Sequence, residues 1–401
     1  MSEWHPYRIK DIAQLISIKS EDLTLPYIAL DNIISWDATF VPSDSATDGN
    51  SNLCEAGDVL FGKLRPYLAK AYIPTKKSIC SPEFLVLRPN EGTNNKFLLY
   101  FLLSRSFISH IRNQVAGVKM PRTNWLKISR YPIFMPSLEE QEAIAKYLDK
   151  ECEKIERNIE LLERKADAYK RLRRSIINRA VTRGLNPDVP LKSSGNDWID
   201  DIPAHWDHER VEKYFHSNTT LNKNFEYTRA FKFYMGTIIP KDENFDEEEY
   251  RDVYEKYTIV EKNDIMINGL NLNYDLKSMR VGIVPYNGII TSAYVVLRPF
   301  EGVNAQYFNY LFKAFDYRKF FHGMGKGVRL TLSFNELRTF EILVPPKDEQ
   351  NQIVAYLNEK CDKIDAIIEK IGTQIERLKE LKRSLINEVV TGKRAITTYM
   401  P

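Results

Sequence analysis

The residues of this chain best suited to chemistry are cations on a stretch without acids. From Gly92 to Leu138 there is no acidic residue, while seven basic ones occur: Lys96, Arg105, Arg112, Lys119, Arg122, Lys127 and Arg130. A local positive field on a chain whose net charge is only +3 is the electrostatic footprint expected of nucleic-acid binding. A solvated face that simply lacks acids fits the same run, so the run alone leaves both readings open. Catalytic groups do not assemble into a motif. The segment GMGKG from Gly323 to Gly327 lacks the spacing and the final Ser or Thr of a P-loop. No strand–turn–helix GxGxxG is present for a dinucleotide, and no Asn/Asp-Pro-Pro-aromatic tetrapeptide of the kind amino-methylating DNA enzymes use. His205 and His208 could ligate a metal, but no third or fourth ligand accompanies them, so a surface pair is expected. The chain is therefore expected to be non-catalytic, with no metal site and no catalytic residue of its own.

The elements that would position these cations are organised around one stretch that occurs twice. Residues 132–155 (PIFMPSLEEQEAIAKYLDKECEKI) match residues 341–364 (EILVPPKDEQNQIVAYLNEKCDKI), and the match continues without a gap to RRSIINRAVTRG and KRSLINEVVTGK. About twenty of some fifty aligned positions are identical, which marks an internal duplication. Each copy starts at a Pro-rich strand end and becomes a long helix. In the first, spanning about Glu139 to Arg183, apolar residues alternate at spacings of three and four: Ile144, Leu148, Cys152, Ile155, Ile159, Leu162, Ala166, Tyr169, Leu172, Ile176 and Ala180. That is the seam of a coiled coil roughly 65 Å long. The second copy repeats the seam through Leu357, Ile364, Ile368, Ile371 and Leu378, with Gly372 inside it at a cost of about 1 kcal/mol relative to Ala. A helix with one apolar stripe needs a partner. The simplest arrangement is an intramolecular antiparallel coiled coil; the alternative is two separate homotypic coils.

Each long helix follows a mixed α/β segment, and the second segment echoes the first. Trp206 then Arg210 and Val211 repeat Trp4 then Arg8 and Ile9; VLRP at Val296–Pro299 repeats VLRP at Val86–Pro89; Glu301 and Gly302 repeat Glu91 and Gly92. The middles diverge, FGKLRPYLAK (Phe61–Lys70) standing opposite INGLNLNYDLKSMR (Ile267–Arg280). The expected division is 1–136, a first α/β domain; 137–186, a central helix; 187–345, a second α/β domain; and 346–401, a C-terminal helix. Within the first, short strands are expected at Tyr27–Leu30, Val59–Phe61, Ala71–Ile73, Phe84–Leu87 and Tyr131–Met135, and an apolar helix over Asn95–Arg112. The acidic run from Asp242 to Glu249 is expected to face away from any polyanion.

With 401 residues, 43% of them hydrophobic and 12% aromatic, two or more well-cored domains are expected. The four cysteines (Cys54, Cys80, Cys152, Cys361) contain no CxxC and are read as small buried hydrophobes in a reducing compartment. The first residues carry no apolar signal region, and no apolar run approaches the roughly 18 residues of a membrane span, so a cytoplasmic location without membrane contact is expected.

Two diverged α/β domains, each followed by a near-identical long helix, resemble the specificity subunit of a type I restriction–modification system. The specific pieces are the paired motifs around Glu140, Gln141, Tyr147 and Leu148 and around Glu349, Gln350, Tyr356 and Leu357. The helix ends Ser175–Asn178 and Ser384–Asn387 and the join SSGNDWIDDIPAHW complete the resemblance, which covers essentially the whole chain. The family's Ser-Gly…Ile-Pro…Trp leader is reduced to Trp4 before the first domain. The resemblance implies two target recognition domains, each reading one half of a bipartite, gapped site in double-stranded DNA. It implies that the helices act as spacer and as platform for two modification subunits, which methylate adenine at N6. Restriction subunits join them. S-adenosylmethionine, ATP and magnesium would belong to those partner subunits, and this chain would hold no cofactor.

Phosphate contact needs Lys and Arg, and base reading needs planar donors such as Arg, Asn and Gln. The diverged loops supply candidates: Lys63, Arg65, Tyr67, Lys70, Lys119, Arg122 and Asn124 in the first domain, and Asn271, Asn273, Lys277, Arg280, Lys326 and Arg329 in the second. Leu148, Ile155, Ile159, Leu162, Tyr169, Leu357, Ile364, Ile368, Ile371 and Leu378 are the candidates for the helix–helix or subunit interface. The rival expectation is a coiled-coil scaffold that binds only proteins, with no salt-dependent affinity for DNA.

Overall fold

The computed structural model describes residues 4–20, 22–45, 49–115, 120–195, 201–241, 247–272, 279–325 and 330–396. The chain forms two compact units. The first comprises residues 1–164 and 371–401, the second residues 165–370. The units therefore cut across both long helices, so each α/β core is completed by one end of each helix instead of standing apart from them.

In the first unit a four-stranded antiparallel sheet runs in the order Ala13–Ile16, Phe84–Pro89, Val59–Gly62, Ala71–Tyr72. Its central strands are buried on both faces, which is why VLFG and FLVL are continuous apolar runs without alternation. A second sheet of four short strands contains one parallel pair, Tyr27–Ile28 with Ser78–Cys80. The strand His5–Arg8 pairs with Pro132–Met135, and the latter leads the chain into the first long helix.

The expected apolar helix over Asn95–Arg112 is two helices, Asn95–Leu102 and Arg105–Asn113. Ser104 causes the break: its hydroxyl accepts from the Phe107 N–H and caps the second piece. The second unit has Ala314 at the corresponding place, with no cap to offer, and its helix Ala305–Tyr317 is unbroken.

The second unit repeats the main sheet as Phe215–Ser217, Val295–Pro299, Ile265–Ile267, Val281–Ile283, and the entry pair as Asp207–Arg210 with Glu341–Val344. It replaces the second sheet by two ribbons, Phe231–Tyr234 with Thr237–Pro240 and Thr258–Val260 with Gly288–Ile290.

The long helices are Leu138–Arg183 and Lys347–Val390. In the first unit Ile144, Leu148, Cys152 and Ile155 share a core with Leu385, Ile386, Val389 and Val390. In the second, Ile177, Ala180 and Val181 share a core with Ile353, Leu357 and Cys361. The start of one helix meets the end of the other each time, so the pair is antiparallel and intramolecular. Gly372 is accommodated inside a continuous helix, exposed, with open space where a Cβ would stand. The four cysteines are free and buried, and burial pushes the Cys152 thiol up to about 12. No helix among the described residues is long and apolar enough to cross a membrane.

Candidate nucleic-acid interface

The diverged loop of the first unit leaves the strand Val59–Gly62 at a tight passage. A Cβ on Gly62 would stand 3.0 Å from Leu30 Cδ2 and 3.3 Å from the Lys70 carbonyl, to which the Gly62 N–H donates at 2.8 Å. The loop then coils into the short 3₁₀ turn Pro66–Leu68, flanked by Arg65 and Ala69 in left-handed backbone, with φ of +48° and +47°. Such conformations cost a non-glycine residue energy and concentrate at functional sites.

Three main-chain bonds hold this loop against its neighbours: Lys63 N–H to Glu83 O at 2.8 Å, Thr123 N–H to Lys63 O at 2.9 Å, and Arg65 N–H to Pro121 O at 2.8 Å. Lys63, Arg65 and Tyr67 are thereby gathered beside Arg122 and Asn124. Arg65, Tyr67, Arg122 and Asn124 are exposed, and Lys63 is half-buried. Arg122 forks onto the Glu83 carboxylate, both contacts 3.2 Å, so a polyanion would have to displace an acid already there. The Asn124 carbonyl accepts from Lys127 N–H and caps the helix Trp125–Ser129.

Lys70 belongs to the scaffold. Its ammonium donates to the Leu30 carbonyl at 2.7 Å from a half-buried position, which fixes the loop base and leaves it poorly placed for phosphate. The acid-free run is likewise less basic in space than along the chain. Lys96 pairs with Asp149, Arg105 with Glu380, and Lys127 donates to the Gln114 carbonyl. Arg112 and Arg130 are exposed, and Lys119 lies outside the described residues.

The second unit builds the same meeting of loops. Leu332 N–H donates to Gly269 O at 2.9 Å, and Leu272 N–H to Leu330 O at 3.3 Å. Only glycine fits at 269, since a Cβ there would lie 2.3 Å from the Leu332 carbonyl oxygen. Asn271 is exposed on this loop, with φ of +51°. Arg280 is not a DNA contact. Its side chain is fully buried, and its guanidinium donates to the carbonyls of Asn268 (2.9 Å), Leu270 (2.8 Å) and Asn271 (3.4 Å). It braces the loop from inside. Its backbone N–H donates to the Asp316 carboxylate at 2.6 Å, and burial pushes that carboxyl up. Asn273, Lys277, Lys326 and Arg329 lie outside the described residues, as does Asp242–Asp246 of the acidic run.

His205 and His208 do not act together. His205 Nε2 contacts Glu349 Oε2 at 2.8 Å, a carboxylate that also receives the Trp206 indole N–H at 3.0 Å. Of the interface candidates on the helices, Leu148, Ile155, Leu357, Ile364 and Ile371 are buried, and Ile159, Leu162, Tyr169, Ile368 and Leu378 are half-buried.

Several bonds that hold the scaffold beneath these loops are duplicated between the units. Arg88 forks onto Asp58 at 2.8 and 2.9 Å, and Arg298 onto Asp264 at 3.0 and 2.9 Å. The Trp4 indole donates to Glu140 at 3.1 Å as Trp206 does to Glu349. Tyr100 donates to Asp149, and Tyr310 to Asn358, both at 2.8 Å. Comparing the two copies, each with an Asp just before the second strand of the main sheet in chain order and an LRP ending the fourth, finds the Arg–Asp forks.

A family model for the type I restriction modification DNA specificity domain matches residues 1–164 and 212–377. A Methanocaldococcus jannaschii chain assigned as the specificity subunit of the type I restriction enzyme MjaX is 23% identical over 364 residues, covering 85% of this chain and 79% of that one. A chain from a structure addressing complex assembly and conformational transition of the type I R-M system shares the fold with a TM-score of 0.72 at 17% identity, over 98% of both chains. The HsdS subunit from Thermoanaerobacter tengcongensis aligns with a TM-score of 0.50 at 17% identity, over 98% of this chain and 97% of that one.

Proposed function

The chain belongs to the type I restriction–modification DNA specificity family, and from that premise we propose that each of its units reads one half of a gapped, two-part site in double-stranded DNA. The observation that carries this reading is the contrast within the duplication. Several inner bonds of the two units correspond, among them the Arg88–Asp58 and Arg298–Asp264 forks, while the described parts of the loops Lys63–Lys70 and Gly269–Asn271 expose different polar side chains, Arg65 and Tyr67 in one and Asn271 in the other. One scaffold presenting two different polar surfaces suits two different half-sites, because base edges are told apart by the side chains presented to them.

The antiparallel helices act as the spacer between half-sites. They also offer matched positions to partners, since Leu172 and Leu381 occupy equivalent places in the repeat and are 47% and 53% exposed. Two modification subunits docked on such positions would carry S-adenosylmethionine and methylate adenine at N6. Restriction subunits would bring ATP and magnesium. The chain itself supplies recognition and geometry.

The test is a genome-wide map of N6-methyladenine in the host with and without the gene. The expected result is a gapped two-part motif that vanishes on deletion. An unchanged map, together with purified chain whose DNA affinity does not fall with salt, would favour the protein-only scaffold.

A further inference from the structure

A loop of the first unit connects the exposed turn to the long helices through very few bonds. Trp36 and Ala38 both have left-handed backbone, with φ of +65° and +57°, and Asp37 stands between them. Two strained residues flanking one carboxylate imply that its position is enforced by its surroundings. On one side the Trp36 N–H donates to the Ala69 carbonyl at 3.1 Å, and Ala69 closes the turn that carries Tyr67. On the other side the Lys382 ammonium of the second long helix donates to Asp37 Oδ1 at 2.6 Å and also bonds the Glu156 carboxylate of the first. Arg383 lies over the Trp36 ring, 4.8 Å from its centroid. Lys382 is only 7% exposed while Asp37 is half-buried, so the contact is partly screened from solvent and salt.

Among the described residues the second unit shows no such device. Arg173 stands in the place of Lys382 and Asp365 in that of Glu156, and the two are bonded, but the further partner of Arg173 is the Tyr317 hydroxyl on a helix. The bond between helices is duplicated; among the described residues the bond from helix to loop occurs in the first unit alone.

We propose that Asp37 and Lys382 are positioning residues for DNA reading, locking the first unit's exposed turn to the helical spacer and so fixing the gap at which its half-site is accepted. The proposal rests on the two-part-site reading above. Changing the gap by one base pair displaces a half-site by about 3.4 Å and about a tenth of a turn. A rigidly held turn rejects that displacement, and a loosened one follows it. Neither Asp37 nor Lys382 needs to touch DNA for this.

The experiment uses the full chain assembled with its modification subunits. Duplexes carry both half-sites at the native gap, at one base pair more and at one fewer, with a further duplex bearing a single-base change in the first half-site. Initial methylation rates are compared. Asp37→Ala is expected to lower the preference for the native gap by about tenfold and to leave the single-base preference within about twofold. Asp37→Asn, of the same shape without the charge, should shift gap preference in the same direction by less, and Lys382→Arg should retain it. Unchanged gap preference in Asp37→Ala overturns the proposal. So does a joint loss of gap and base preference, which general loosening of the unit would produce. If the unsubstituted complex methylates without regard to sequence, the two-part-site reading fails and the proposal falls with it.

Discussion

Replacing Arg280 by Met removes a cation that the second unit uses as internal scaffolding. The side chain is fully buried and supports two short hydrogen bonds, to the carbonyls of Asn268 and Leu270, and a longer one to Asn271. A hydrogen bond to a charged group contributes about 1.5–3 kcal/mol, and carbonyls left buried without donors add to the loss. Asp316 keeps its bond, because it accepts from the backbone N–H that Met retains. The expected loss is therefore set by the two short bonds, about 3–6 kcal/mol. For a unit of this size that lowers the thermal midpoint by about 6–24 °C. The assay is thermal unfolding of the full chain followed by circular dichroism, paired with DNA affinity measured across a salt series. A brace leaves the salt slope unchanged, whereas a lost phosphate contact reduces it by about one. An unchanged midpoint with a slope smaller by one would make Arg280 a phosphate contact and refute its role as an internal brace.

Arg65→Ala should weaken binding by about 1–3 kcal/mol and relax a single position of the first half-site, measured against duplexes with single-base changes. An equal loss on every sequence would make Arg65 a phosphate contact instead. Lys313 sits where burial, then the neighbouring Arg173, lowers its ammonium from 10.5 to about 8. Between those values the unfolded chain binds a proton that the folded chain does not, so stability should rise with pH there. Lys313→Met should abolish that rise and raise stability at pH 7 by at most about 3 kcal/mol, the residual exposure of the side chain trimming the full shift. Urea unfolding of both proteins at pH 7 and pH 9.5 checks this, and an unaltered pH dependence counts against it.

What the sequence made legible follows from period and repetition. The helix seam could be read because an apolar stripe at spacings of three and four has one physical solution, and its expected start at Glu139 is one residue from the observed Leu138. The antiparallel pairing followed because one chain carried two matching stripes. Charge was less legible, because it was counted along the chain while its neutralisation occurs in space. Asp149, Glu380 and Glu83, which answer Lys96, Arg105 and Arg122, all lie far from them in sequence. Arg280 was misassigned for a related reason. A cation in a polar, diverged loop looks like a surface residue, and only the three-dimensional path of the chain reveals carbonyls converging on it. Lys70 repeats the lesson at smaller scale.

The two copies also show how one fold can serve two recognition tasks. The forks Arg88–Asp58 and Arg298–Asp264 join adjacent strands of the main sheets, and both aspartates are nearly inaccessible, with side chains 2% and 1% exposed. Breaking such a pair leaves a buried charge and costs several kcal/mol, so a change there jeopardises the whole unit. Substitutions at exposed loop positions usually alter stability by half a kcal/mol or less. Divergence is thereby channelled to the loops, where Lys63–Tyr67 and Gly269–Asn271 have parted company while the strands beneath them have not. The Asp37–Lys382 bond falls between these classes. It is half-buried, with Lys382 enclosed like the scaffold, yet among the described residues it is present in one copy only, which is what a contact tuning the placement of a single half would show.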